Sequence, residues 1–456
     1  MHIYAALRLQ VQAKRKCLKV AAKRITSALV CALLLLFCFS GCSGGLASDN
    51  NILQAPRPDG EVSKIQAALK RASVTNYTLK TPKYGEFRSA FVLRDLNGDG
   101  KDEAVAFYST KSGKTETLHF SVILKKGRRW EVASDTALAG SDIEKVNFGD
   151  MNGDGTLEVC IAVSIYGSPE KRLSVYKISG DIPVKWYEGS YSDYLICDMN
   201  GDSCDDLVVF TIDTIEKIAS CTLLVSNGSA LNRISSVRLD SGITSIKEIT
   251  NTRVDGAPAL FVDAQNGQSS YFTEIVSFKN GALCVPLYEQ SRQSSLLTSR
   301  YQNLSCRDID YDGELEIPCM TALPTDGNEQ NVLYLTDWKA YSGGQLRSKE
   351  LSVISKEQQY KIVIKDMWIG NFSCLSANND GMDFYDYSAK DGLKSCLFQL
   401  CAVSSGGYRA DEFRGWFTVQ QNYKTVYLAK ITAEGTAEGI TEKTVSECFR
   451  DNISED

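Results

Sequence analysis

Asp95-Leu-Asn-Gly-Asp-Gly-Lys-Asp-Glu103 runs directly into the apolar stretch Ala104-Val-Ala-Phe-Tyr108. Three further copies follow the same plan: Asp150-Met-Asn-Gly-Asp-Gly-Thr-Leu-Glu158, Asp198-Met-Asn-Gly-Asp-Ser-Cys-Asp-Asp206 and Asp308-Ile-Asp-Tyr-Asp-Gly-Glu-Leu-Glu316. Each places side-chain oxygens at positions 1, 3, 5 and 9. So many carboxylates and amides in one tight loop repel one another unless a hard cation sits among them. Ca2+, which takes about 6 to 8 oxygens at about 2.3 to 2.6 Å, suits that demand better than Mg2+ or a transition metal. The expected ligands are Asp95, Asn97, Asp99, Lys101 and Glu103; Asp150, Asn152, Asp154, Thr156 and Glu158; Asp198, Asn200, Asp202, Cys204 and Asp206; Asp308, Asp310, Asp312, Glu314 and Glu316. Lys101, Thr156, Cys204 and Glu314 would serve through their backbone carbonyls, and the glycine at position 6 allows the turn that points them inward. The third copy has Ser203 at that position.

An EF-hand needs a bidentate acid at position 12 and a helix on each side. Position 12 here is Ala106, Ile161, Val209 and Cys319, and each loop enters a short apolar run such as Val159-Cys-Ile-Ala-Val163 or Leu207-Val-Val-Phe210. The acid at position 9 therefore closes the site at the mouth of a strand.

The loops begin 55, 48 and 110 residues apart, so the last gap has room for one decayed copy. Asn251-Thr-Arg-Val-Asp-Gly-Ala-Pro-Ala-Leu-Phe261 falls there, with Arg253 where a ligand should be and Ala259 at position 9. It is expected to keep the turn, with the guanidinium standing in for the ion. A period near 50 residues with several short strands in each predicts a propeller or a related β array. Strands are expected over Leu118 to Leu124, Arg129 to Ala133, Arg172 to Ile178 and Ser220 to Val225.

These loops resemble the FG-GAP or VCBS repeats of integrin-type β-propellers, over roughly residues 80 to 350. The resemblance implies blades in which a calcium loop joins two strands, commonly used at cell surfaces for adhesion or display. Of the integrin elements only Phe148-Gly149 and Gly256-Ala257-Pro258 are kept, so integrin-like ligand binding is not implied.

Before Cys42 stand Arg8, Lys14, Arg15, Lys16, Lys19, Lys23 and Arg24 with no acid, then an apolar run from Ile25 to Phe39. This reads as an export signal, and Phe39-Ser40-Gly41-Cys42 resembles a bacterial lipobox, which implies lipid attachment at Cys42 and an extracytoplasmic, membrane-anchored protein. An uncleaved anchor or ordinary signal cleavage is the alternative, and each places the rest of the chain outside the cytoplasm. Residues 42–60 read as a linker, and Glu61 to Ala72 as an amphipathic helix. Without the leader 43 Lys and Arg face 56 Asp and Glu, which argues against a nucleic-acid partner.

The loops stop near residue 352, and residues 353–456 read as a separate small α+β module. Its expected strands are Met382 to Tyr387, Leu397 to Val403 and Thr425 to Ile431, with a helix over Thr441 to Arg450 and a hairpin turn at Asn378 to Gly381. The fold class is thus mainly β: a propeller of five or six blades carrying Asp-x-Asn-x-Asp-Gly calcium loops, followed by the α+β module.

Catalytic residues are scarce. Outside the leader the one histidine is His119, on an alternating strand, which disfavours histidine-dependent hydrolases and a histidine zinc site. Eleven cysteines follow Cys42 without any Cys-x-x-Cys spacing, so they read as small buried residues in a protein of a non-oxidising habitat. Trp130, Tyr166, Trp186, Tyr187, Tyr191 and Tyr194 could line a sugar or peptide face, or pack between sheets. The expected function is a calcium-stabilised binding or display protein without catalytic activity, holding a protein or carbohydrate ligand. The alternative is an envelope hydrolase or lyase acting on polysaccharide or peptide through carboxylates. Convergent acids away from the four loops would favour that alternative.

Overall fold

The computed structural model describes residues 59–72, 77–180, 182–267, 269–327, 332–355, 357, 359–365, 368–377 and 381–451. The leader, Cys42 and most of the linker lie outside the described residues. The protein is mainly β. Among the described residues the strands make six antiparallel sheets that follow one another along the chain: residues 77–138, 142–190, 193–238, 243–284, 316–363 joined by 449–451, and 372–431.

Residue alternation explains why the strands after the loops are continuously apolar. Successive side chains point to opposite faces of a sheet, so a strand reads as alternating only when one face meets water. In Glu103–Ser112, Val105 and Phe107 pack towards the second sheet, while Ala104, Ala106 and Tyr108 pack beneath the helix Asp59–Arg71. In Glu158–Ser164, Val159, Ile161 and Val163 face the first sheet, and Cys160 and Ala162 the third. The pattern continues in Asp206–Asp213, where Leu207 and Val209 face back and Val208 and Phe210 face forward to the fourth sheet. Each inner sheet is thus a layer buried between two neighbours, and hydrophobic burial at about 25 cal/mol per Å2 drives the stacking on both sides.

The two ends of the series are covered differently. Ile65, Ala68 and Leu69 of the helix close the outer face of the first sheet, pinned where Trp130 Nε1 donates to Glu61 Oε2 at 2.7 Å and Arg71 Nη2 to the Trp130 carbonyl at 2.8 Å. No core cluster joins the first sheet to the sixth among the described residues.

Two expectations are corrected here. The boundary at residue 352 falls inside the strand Gln345–Ser355, and the chain returns at Phe449–Asp451 to complete the fifth sheet. The fifth and sixth sheets share a core of Val353, Tyr360, Ile362, Phe384, Phe398 and Leu400. The C-terminal residues therefore continue the series of sheets, because the apolar face of the fifth sheet needs that cover. The supposed decayed loop is a tight hairpin: Ile243–Val254 and Ala257–Asn266 pair up to Val254 opposite Ala257, with Asp255 and Gly256 at φ 51° and 79°. Such a pair of left-handed residues suits a two-residue turn between twisted strands. Arg253 is an exposed strand residue opposite Pro258 and replaces no ion.

Between the fourth and fifth sheets the chain makes two short helices, Pro286–Ser291 and Ser295–Thr298, held by buried polar groups. Glu274 accepts from the Asp240 amide at 3.1 Å and from Ser294 Oγ at 2.6 Å. Burial pushes its carboxyl up to about 7. Between about pH 4.5 and 7 the folded state then keeps a proton that the unfolded state has released, so stability falls as pH rises through that window. Glu274→Gln should flatten this part of the profile and stabilise by about 1–2 kcal/mol at pH 8 relative to the native chain. Urea denaturation at pH 5 and pH 8 tests this, and parallel pH profiles for the two proteins would refute it.

Candidate functional site

In all four loops the position-9 acid is the first residue of a strand and is buried: Glu103, Glu158 and Asp206 on inner strands of their sheets, and Glu316 on the edge strand of the fifth. Each accepts from the backbone amide of position 2, at 2.9 Å from Leu96, 2.8 Å from Met151, 3.0 Å from Met199 and 3.0 Å from Ile309. The position-1 aspartate gathers the turn. Asp95 accepts from Gly98, Asp99 and Gly100, and Asp150 and Asp198 repeat this with their own positions 4, 5 and 6. Asp308 accepts from Asp312 and Gly313. Asn97, Asn152, Asn200 and Asp310 accept from the position-5 amide, and Asp99, Asp154, Asp202 and Asp312 from that of position 7.

Position 4 is as constrained as position 6, which the sequence reading missed. Gly98, Gly153 and Gly201 have φ of 73°, 70° and 83°, and Tyr311 takes 63° in the fourth loop, as Ser203 takes 70° at position 6 of the third. Non-glycine residues held in this region are strained, and a bound ligand is one way to compensate that. The first three loops also stack. Leu157 N donates to the Leu96 carbonyl at 3.0 Å, Asp205 N to the Asp150 carbonyl at 3.0 Å, and Asp150 N to Asp205 Oδ2 at 3.1 Å. A side chain at Gly98 would lie 2.7 Å from the Gly155 carbonyl oxygen.

The donor set fits a cation. Glu158 Oε1 and Glu316 Oε1 are buried without a hydrogen-bond partner. One ligand oxygen from each of Asp308, Asp310 and Glu316 lies within 4.8 Å of the others. Burial raises Glu103 and Glu158 above the ordinary carboxyl range and pushes Asp206 and Glu316 up to about 7, as expected for acids lacking a counter-charge. Lysines partly answer this charge: Lys177 bonds Asp154 and lies 3.4 Å from Glu158 Oε1, and Lys349 bonds Asp312 at 2.5 Å. Lys101 is paired with Asp99, Thr156 Oγ1 donates to Asp154, and Glu314 lies 3.8 Å from Lys349. The Cys204 thiol lies against Gly153 of the preceding loop.

A second constellation lies away from the loops, between the first two sheets. A cavity of about 550 Å3 is lined by Lys80, Glu116, Ser141, Asp142, Tyr166 and Arg172 among others. Lys80 Nζ sits 3.1 Å from Glu116 Oε1 and 3.1 Å from Asp142 Oδ1. The Ser109 hydroxyl and the Lys80 ammonium hold Glu116 below the usual carboxylate range. Partial burial opposes the same effect at Asp142, where Lys80 and Lys83 nevertheless keep the net shift downward. Tyr166 is 93% exposed at the cavity. Trp130, Trp186, Tyr191 and Tyr194 are buried in the cores between layers, so of the aromatic candidates Tyr166 alone lines this cavity. Glu116 and Asp142 carry no motif, because they meet only when two sheets pack.

His119 belongs to a structural cluster: its ring stacks on Tyr108 at 5.3 Å, Nδ1 lies 3.1 Å from Asp135 Oδ2 and Nε2 lies 3.0 Å from Thr110 Oγ1. The eleven cysteines are free. Among the described residues no helix is long and apolar enough to cross a membrane.

No family model matches the chain, and no curated protein matches it. Solved structures do. The exotype rhamnogalacturonan lyase YesX is 13% identical, with 75% of this chain and 85% of that one covered at a TM-score of 0.30. A Bacillus licheniformis rhamnogalacturonan lyase is 11% identical over 70% and 76%, at 0.31. A Phanerochaete chrysosporium exo-β-1,3-galactanase is 9% identical over 72% and 79%, at 0.26. The expectation of a display protein without catalytic activity is corrected at this point: convergent acids stand away from the loops, at a cavity, which is the arrangement that favours the alternative.

Proposed function

We propose that the chain is an extracytoplasmic enzyme that acts on polysaccharide in the cavity between its first two sheets, on a scaffold of propeller-type blades held by Ca2+ in FG-GAP or VCBS-like loops. The observation that carries this reading is the carboxylate pair Glu116 and Asp142, converging on one ammonium in a cavity with an exposed tyrosine. Two oxygens each 3.1 Å from Lys80 Nζ lie within about 6 Å of each other, close to the carboxyl separations of about 5 to 9.5 Å used for glycoside hydrolysis. A volume of about 550 Å3 accommodates a short stretch of sugar chain. Tyr166 offers a ring face for a sugar, and Lys80 and Arg172 suit acidic substituents.

In the free protein Lys80 keeps both acids ionised. A sugar hydroxyl that displaces its ammonium from Glu116 returns that carboxyl towards its ordinary range, so that in mildly acidic solution it takes a proton from water and can pass it to a leaving oxygen, with Asp142 left as the anionic partner. Bound Ca2+ neutralises the loop acids and pins the turn between strands. Lipid on Cys42 would hold the enzyme at the membrane, and Cys42→Ala should release it into the soluble fraction.

Glu116→Gln and Asp142→Asn should each lower kcat on polysaccharide by about 10²- to 10⁴-fold with little change in melting temperature. Reducing ends and unsaturated products are followed separately, which tells hydrolysis from elimination. Full activity in both variants would overturn the assignment.

A further inference from the structure

The sixth sheet carries a smaller cavity that the proposed reaction does not use. It has a volume of about 260 Å3, and Asp383, Gln399, Cys401, Phe413 and Trp416 are among its lining residues. Asp383 and Gln399 face each other across the strands Gly381–Ser388 and Gly392–Ser404. Their neighbours Met382, Phe384 and Phe398 point the other way, into the core shared with the fifth sheet. The cavity therefore opens on the face turned away from that core, beneath the segment that brings Phe413 and Trp416 over the sheet, their rings edge to face at 6.1 Å.

Asp383 is the one charged residue in this lining. Its Oδ1 accepts from Gln399 Nε2 at 2.9 Å, and among the described residues it has no ion pair. Glu350, which is also half-buried, meets Lys361 at 2.6 Å instead. A carboxylate in a mostly apolar cavity is costly unless a counter-charge joins it. Two aromatic rings beside it attract a cation through their negative faces and repel an anion. A neutral alcohol would satisfy the shape but leave the charge uncompensated.

We propose that this cavity is a binding site for a small organic ammonium group, with Asp383 as its counter-ion and Phe413 and Trp416 as its walls. The site is independent of the polysaccharide reading. Its volume admits a single alkylammonium or amino-substituted ring, below the usual range of about 300 to 1,000 Å3 for larger ligands.

The probe is n-butylammonium, with n-pentanol as its neutral counterpart, titrated into the full chain. Of the five tryptophans Trp416 alone is among the residues lining this cavity, so a ligand bound there changes its fluorescence. The expected result is a saturable change with n-butylammonium, absent with n-pentanol, weakened at least about tenfold by Asp383→Asn, as loss of a charge-assisted contact implies. Phe413→Ala, on the covering segment, should weaken it as well and serves where Asp383→Asn fails to fold. Equal binding of n-pentanol, unchanged affinity in a folded Asp383→Asn protein, or no saturable response would each overturn the proposal.

Discussion

Excess chelator should lower the melting temperature by about 5 °C for each loop that was occupied, and Ca2+ but not Mg2+ should restore it. A ligand that binds only the folded state at 100 times its Kd stabilises by about 2.7 kcal/mol, and a kcal/mol moves the midpoint of a large domain by about 2 °C. The loops should not contribute equally. In the fourth, Glu316 Oε1 is buried without a hydrogen-bond partner and faces Asp308 and Asp310, while Lys349 lies against Asp312 and 3.7 Å from Asp310. In the second, Lys177 already lies against Asp154 and Glu158, which supplies part of the missing charge. Glu316→Gln keeps an acceptor for the Ile309 amide while removing the negative charge at the buried end of the site. It should therefore remove more of the calcium-dependent stabilisation than Glu158→Gln. Calorimetry with and without Ca2+ measures both. A melting curve that ignores chelator would reject calcium as the staple, and a larger loss from Glu158→Gln would reject the ranking.

Arg300→Met should cost about 3 to 5 kcal/mol, among the largest effects available to a single substitution in this chain. Arg300 is 1% exposed and Asp263 is 3% exposed. The guanidinium donates to Asp263 Oδ1 at 2.6 Å and to Thr273 Oγ1 at 2.8 Å, while Asp263 Oδ2 accepts from the Cys306 amide at 2.8 Å. The strand Ala257–Asn266 is thereby tied to the chain that leaves the helix Ser295–Thr298 and enters the fourth loop. Removing the cation alone strands a carboxylate in an apolar interior. The double variant Asp263→Leu with Arg300→Met removes both charges and should recover most of the loss. Urea midpoints of the three proteins decide it, and a double variant no better than Arg300→Met would show that the ion pair is not what is lost.

Much of the layered arrangement was legible because the local rules agree. Alternating oxygens ending in an acid, then an unbroken apolar run, mark a turn feeding a strand buried on both faces. The expected strands at 118–124, 172–178 and 220–225 fall inside Thr115–Lys126, Lys171–Ser179 and Ile218–Ser226. The expected helix at 61–72 matches Asp59–Arg71 closely. What failed was inference from spacing. The gap in the period suggested a fifth, degenerate loop, but Asp255 and Gly256 form a two-residue turn, and strand pairing continues to its edge. The absence of a motif beyond residue 352 suggested a separate module. A sheet needs no acid-rich loop to stack, only an apolar face, and Phe384, Phe398 and Leu400 supply it.

The four acid-rich loops are a property of the sequence itself, since the groups that make each turn lie within nine residues and the turn is made by backbone amides bonding to local carboxylates. The meeting of Glu116 with Asp142 across Lys80, and of Asp383 with Trp416, was decided only by tertiary structure. Those groups come from different sheets or from a segment folded back over one. No local pattern records a contact whose energy comes from packing distant apolar faces together.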